Sequence, residues 1–128
     1  MEPSFHKLFT VEEANTLLPK LKELLDDVAI HRDALRERAP RLEPILQAAN
    51  TNGGGRVGSE YGVEAYNLYL AIERIRGLGV ILKDLDRGLL DFPHERGGRV
   101  VFLCWHPPEE SVAFWHEIEA GYAGRQPL

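Results

Sequence analysis

The 128-residue sequence has one cysteine, Cys104, and one methionine. A single cysteine excludes an intrachain disulfide and fits a reducing compartment. No apolar run approaches the roughly 18 residues that a membrane span needs. The opening "MEPSFHKLF" lacks the basic region and long apolar stretch of a signal peptide, so a cytoplasmic location is the expectation. Basic residues are in deficit, 15 Lys and Arg against 20 Asp and Glu, for a formal charge of −5. Nucleic-acid binding draws much of its affinity from neutralised phosphates, so this balance argues against such a partner. The densest basic stretch, Arg32 to Arg41, is interleaved with Asp33 and Glu37, which makes it a mixed solvated face. Nucleotide motifs are missing too. "GGGRVGS" has neither the Lys-Ser/Thr ending nor the preceding strand of a phosphate loop, and is expected to be a flexible connector. There is no internal repeat.

The composition that remains is that of one soluble domain, 44% hydrophobic and 27% charged. At this length a chain buries about two-thirds of its unfolded surface and needs no covalent staple. "TVEE", Thr10 to Glu13, is a capping box. Behind it Ala14, Leu18, Leu21, Leu25 and Val28 recur at helical spacing, with Leu17 and Leu24 widening the face and Leu35 continuing it. Pro19 falls inside this stripe, and predicts either a kink or a helix that stops at Leu17 and restarts at Pro19. A short helix is expected over Glu43 to Ala49, then a loop over Asn50 to Ser59. Ser59 can cap a second long helix carrying Tyr61, Ala65, Leu68, Ile72 and Ile75, which Gly77 and Gly79 end.

After Val80 the pattern changes. "VILKDL", "LLDF" and "RVVFLCW" read as antiparallel strands separated by "LDRG" and "PHERGG". In the third, Arg99, Val101, Leu103 and Trp105 face one way and Val100, Phe102 and Cys104 the other. Both sets are largely apolar, which predicts a central strand covered on one side by the helices. Val112 to Ile118 fits a helix loosely or a fourth strand. The strand is preferred because "VAFW" follows a turn and a long strand. The expected fold is α+β: an antiparallel helical hairpin, about 10–78, packed on a β-meander of three or four strands, about 80–118, with a tail at 119–128, all in one domain.

The segments "FTVEEANTLLPKL", "GVILKDLDRGLLDFP", "LCW" and "FWHEIEAGYAGRQP" together resemble a small bacterial family known only as a domain of unknown function. The resemblance spans most of the chain, apart from Gln47 to Glu60. It implies a bacterial protein that forms one unit. It also implies an acidic turn between the two tryptophan-bearing segments, to which "PPEE" is similar. It supplies no activity, substrate, cofactor or catalytic residue.

The chemistry-bearing residues concentrate after residue 80. Asp84 and Asp86 suit turn capping, while with Lys83 they are also a carboxylate pair fit for a hard cation or proton transfer. "DLDRGLLD" lacks the remaining ligands of a calcium loop. Asp91 sits in an apolar run, so it is either solvent-facing or buried with a partner, Arg99 or Lys83 across the sheet. His116-Glu117 lacks the second histidine of a zinc-protease helix. Asp91, His106 and His116 can meet as a three-ligand divalent-metal site if several registers cooperate. Trp105 and Trp115 are core residues or a stacking wall for a planar or sugar-like ligand. Arg125 is a tail residue or a fork for a carboxylate or phosphate. Cys104 reads as a small buried hydrophobe, with a Cys104–His106 pair as the reactive alternative. Two functions follow. One is a binding or assembly module, homodimeric through its long helices. The other is a small enzyme or a metal- or ligand-binding protein whose site draws on Lys83, Asp84, Asp91, Trp105, Trp115, His116, Glu117 and Arg125.

Overall fold

The computed structural model describes residues 5–38 and 56–128, with side chains of the second helix described from residue 62. Helix α1 spans Val11–Arg38 and α2 spans Arg56–Arg76. Five strands follow: β1 (Ile81–Asp84), β2 (Leu89–Arg96), β3 (Arg99–Trp105), β4 (Phe114–His116) and β5 (Gln126–Pro127). A 3-10 turn at Tyr122–Gly124 precedes β5. They form one antiparallel sheet in the order β1-β2-β3-β4-β5. The fold is α+β, with five strands where three or four were expected. The fifth comes from the tail, because Trp115 pairs with Gln126 and so draws residues 126–127 onto the sheet edge.

The capping box forms as its spacing requires. Glu13 N–H donates to Thr10 Oγ1 at 3.0 Å, and Thr10 N–H donates to Glu13 Oε1 at 2.9 Å. Helix α1 runs without a break through Pro19, so the restart does not occur. Helix α2 begins at Arg56, which puts Ser59 inside its first turn and not at its cap. The expected helix at Glu43 to Ala49 lies outside the described residues. Helix α1 buries Ala14, Leu18, Leu21, Leu24 and Val28, and α2 buries Ala71 and Ile75. The two helices meet along this apolar seam and at His31 Nδ1 and Glu64 Oε2, 3.0 Å apart.

The strand pleat divides the sheet into two faces. Leu90, Phe92, Val101, Leu103, Trp105 and Trp115 join the helices in one apolar cluster. Asp91, Phe102, Cys104 and His116 point the opposite way by alternation, yet they are buried as well. The expected turn "PHERGG" shrinks to Gly97-Gly98, both at positive φ (60° and 79°), and Pro93 to Arg96 extend β2. Two consecutive positive φ values are what the tightest hairpin turns demand. Pro93 is tolerated because its carbonyl accepts from Phe9 N–H (2.7 Å), on the edge away from β3. Its missing N–H therefore costs the β2–β3 ladder no bond. Among the described residues no helix is long and apolar enough to cross a membrane.

Candidate metal centre

Register brings together three side chains from three strands. Asp91 of β2 lies opposite Cys104 of β3, and His116 of β4 lies opposite Phe102, two residues further along the same face. One donor atom from each of Asp91, Cys104 and His116 falls within 4.8 Å of the other two. All three are buried: Cys104 is 0% exposed and the other two 2%. Phe102 sets its ring edge-on to His116, with centroids 5.6 Å apart, and Phe5 and Lys83 close over Phe102 in turn.

The protons can be counted from the hydrogen bonds. His116 Nδ1 lies 2.8 Å from the Glu117 carbonyl, which can only accept, so Nδ1 carries a hydrogen. His116 Nε2 lies 3.1 Å from Asp91 Oδ1. One proton bridges that contact, on the carboxyl or on the imidazole, and the pair has zero net charge in both cases. A lone buried charge here would be costly, which accounts for the pairing. Burial raises the Asp91 pKa above the usual carboxylate range, opposed by His116, Lys83 and the Cys104 thiol. Burial also pushes the Cys104 thiol up to about 12, helped by the Asp91 charge and opposed by Arg125.

This geometry argues against a cysteine nucleophile. Activation needs a neighbouring base with a free nitrogen, and both nitrogens of His116 are engaged. A thiol with so high a pKa stays protonated at neutral pH. The same groups match what a metal site needs: O, S and N donors converging, with the ligating histidine oriented through its other nitrogen by a backbone carbonyl.

A family model described as an uncharacterised conserved protein, DUF2203, matches residues 7–128. The chain belongs to that family. No curated protein and no solved structure matches it. Membership in DUF2203 agrees with the resemblance seen in the sequence motifs, and it leaves the chemistry to be read from the fold.

The structure redistributes the other candidates. His106 is not with Asp91 and His116. It lies just beyond the end of β3, bonded through Nε2 to the Tyr122 hydroxyl at 3.3 Å, and Cys104 takes its place in the cluster. The Cys104–His106 pair likewise does not form, because the histidine in reach of the sulfur is His116. Asp91 pairs with His116 and not with Arg99, which bonds Glu117 instead. Glu117 therefore contributes its backbone carbonyl to the site while its side chain stays outside. Asp84 is a turn residue: Oδ1 accepts from the N–H groups of Asp86 (2.9 Å) and Arg87 (3.1 Å). Lys83 is exposed, its ammonium 5.1 Å from the Phe102 ring centre. The tryptophans form no open wall. Trp105 is 0% exposed, with its indole N–H bonded to the Glu109 carbonyl. Trp115 packs into the helix-side core, with Arg96 4.6 Å from its ring centre. Arg125 is neither a free tail residue nor an open fork. It donates to both Glu109 oxygens, at 2.8 and 2.9 Å. Sequence reasoning set Cys104 aside and missed Glu109.

Proposed function

We propose that this protein binds a divalent transition-metal ion at Asp91, Cys104 and His116. The observation that carries this reading is the convergence of their three donor atoms within 4.8 Å, from three adjacent strands. A mixed O, S and N set suits zinc best, with iron next. Tetrahedral zinc with bonds of about 2.0–2.3 Å places its ligands about 3.3–3.6 Å apart. Asp91 and His116 already stand at 3.1 Å, so the adjustment falls to the sulfur.

Charge supports the same reading. Without metal the cluster is neutral: a shared-proton Asp–His pair and a thiol. When a dication replaces the bridging proton and the thiol proton, the buried sum remains zero. The burial cost that would oppose a net charge is therefore not incurred. Three protein ligands leave the fourth tetrahedral position to a water or another small ligand, and the ion ties three strands together. This reading goes with a cytoplasmic location, where Cys104 stays reduced.

The test is the metal content of the purified, untagged protein by plasma mass spectrometry, with zinc titration of the chelator-treated protein by calorimetry. The expected result is about one ion per chain, lost in His116→Ala and in Cys104→Ser. A wild-type protein that carries no metal and takes up none from excess zinc overturns the proposal.

A second reading rests on a separate observation. Val63, Tyr66 and Tyr69 of α2 and Ile30 of α1 are 55–61% exposed, and Tyr66 stacks on Tyr69. Large apolar side chains left in water on a helical layer suit a partner. We propose that this layer, as an antiparallel hairpin, pairs with a second copy of the chain. Light scattering across micromolar concentrations should give a dimer that Tyr66→Glu dissociates, and a wild-type monomer throughout refutes it.

A further inference from the structure

Arg125 stands beside the cluster with one buried donor, Nε, unused. Its Nη2 donates to both oxygens of Glu109 and, at 3.2 Å, to the Cys104 carbonyl. Its guanidinium lies between two rings, 4.1 Å from the Phe114 centre and 4.8 Å from that of Tyr122. The side chain is only 12% exposed, and Nε is buried with no hydrogen-bond partner. Glu109 is itself fixed, because Oε1 accepts the His106 backbone N–H at 2.9 Å. The guanidinium is thus held by its anchor, its ring contacts and the backbone of the cysteine it adjoins, while its buried Nε–H goes unanswered. An arginine cannot relieve this by losing a proton. A buried donor without an acceptor is unfavourable and calls for an explanation.

We propose that Arg125 is the positioning residue of the metal centre, its Nε–H being reserved for Cys104 Sγ when that sulfur becomes a metal-bound thiolate. The inference rests on the metal-binding reading above. A thiol is a weak acceptor, whereas a thiolate accepts N–H bonds readily, and such bonds to ligand sulfurs tune metal sites. Metal uptake therefore satisfies the orphaned donor. Glu109 balances the guanidinium, so the positioning residue adds no net charge beside the ion. Phe114 faces Cys104 across the β3–β4 ladder, so the ring under the guanidinium belongs to the strand position that opposes the ligand. Arginine fits this role better than lysine, because one planar group serves the carboxylate, the carbonyl and the sulfur together.

The decisive experiment is nitrogen-15 NMR of arginine Nε–H groups in the full-length wild-type chain, metal-free and then loaded with cadmium-113. One Nε–H resonance, assigned to Arg125, should shift and show a through-sulfur correlation to the cadmium nucleus. In parallel, Arg125→Lys should weaken cadmium and zinc binding by about 10–100-fold. The same change in a Cys104→Ser background should have less than about a twofold effect, since sites that act through one contact are not additive. Cadmium bound through sulfur with no Nε–H response overturns the role of Arg125 and leaves the metal centre standing. Failure of cadmium to bind overturns both. The wild-type spectrum decides the matter even if Arg125→Lys does not fold.

Discussion

Replacing Asp91 separates a proton-sharing pair from an ordinary buried charge. The Glu117 carbonyl obliges His116 Nδ1 to carry a hydrogen, and one proton bridges Nε2 and Asp91, so with the carboxyl group replaced Nε2 is left as an acceptor. Asn at 91 keeps the volume, donates its amide N–H to Nε2 and leaves Oδ1 for the Cys104 thiol. Its expected cost is about 1 kcal/mol or less, the size of one exchanged neutral hydrogen bond. Ala at 91 leaves Nε2 buried and unpaired, at about 1–3 kcal/mol, and removes packed atoms as well. A total of about 3 kcal/mol is expected. In a domain of this size that lowers Tm by roughly 10–15 °C, against roughly 4 °C for Asn. Thermal unfolding followed by circular dichroism, at pH 7 with a chelator present, measures both. Equal melting temperatures for Asp91→Asn and Asp91→Ala would refute the reasoning, because they would mean that an amide N–H at 91 does not replace the hydrogen bond made by the shared proton.

Three more outcomes are expected. Burial pushes the Glu109 pKa up, but the Arg125 hydrogen bond and the His106 N–H carry it to a net value below the 4.5 of a free glutamate. Its ion pair therefore contributes stability above about pH 4.5 that is lost as pH falls through the lower folded value, and Glu109→Gln should lose that part of the pH dependence in urea unfolding between pH 7 and 3.5. Zinc affinity should rise at least about tenfold per pH unit between pH 6 and 9, since a thiol with a pKa of about 12 must release its proton to bind, and competition titrations at fixed zinc activity would show it. Leu21, wholly buried between helices and sheet, should cost about 2–5 kcal/mol as Ala, and a loss below 1 kcal/mol in urea unfolding would contradict its place in the core.

Local features were legible because local chemistry makes them. The Thr10–Glu13 cap needs only residues three apart, and the α1 stripe needs only the helical period. Leu24 nonetheless replaces Leu25 as a fully buried member, since the seam with α2 and the sheet chooses among adjacent leucines. The turn role of Asp84 is also local. The Asp91–Cys104 pairing was within reach of counting. A two-residue turn at Gly97-Gly98 sets Arg96 opposite Arg99, and five further residues along each strand bring Asp91 to Cys104. Assigning "PHERGG" as the turn hid that count.

His116 was beyond such counting. The segment between β3 and β4 is irregular, so no turn type fixes which residue of β3 meets Trp115. The fifth strand depended on pairing as well, because "GYAGRQPL" has no strand pattern of its own and joins the sheet only because β4 offers an open edge. The sequence alone determined the family, the two helices and their first cap, the β-rich second half and the pool of polar side chains after residue 80. The tertiary structure decided which of these share a partner. Strand register sets the side chains that face one another away from water, and a group buried there must find its proton or counter-charge among those neighbours. That is why Cys104 replaces His106 in the cluster, why Glu109 claims Arg125, and why Glu117 gives the site its carbonyl while its carboxylate goes to Arg99.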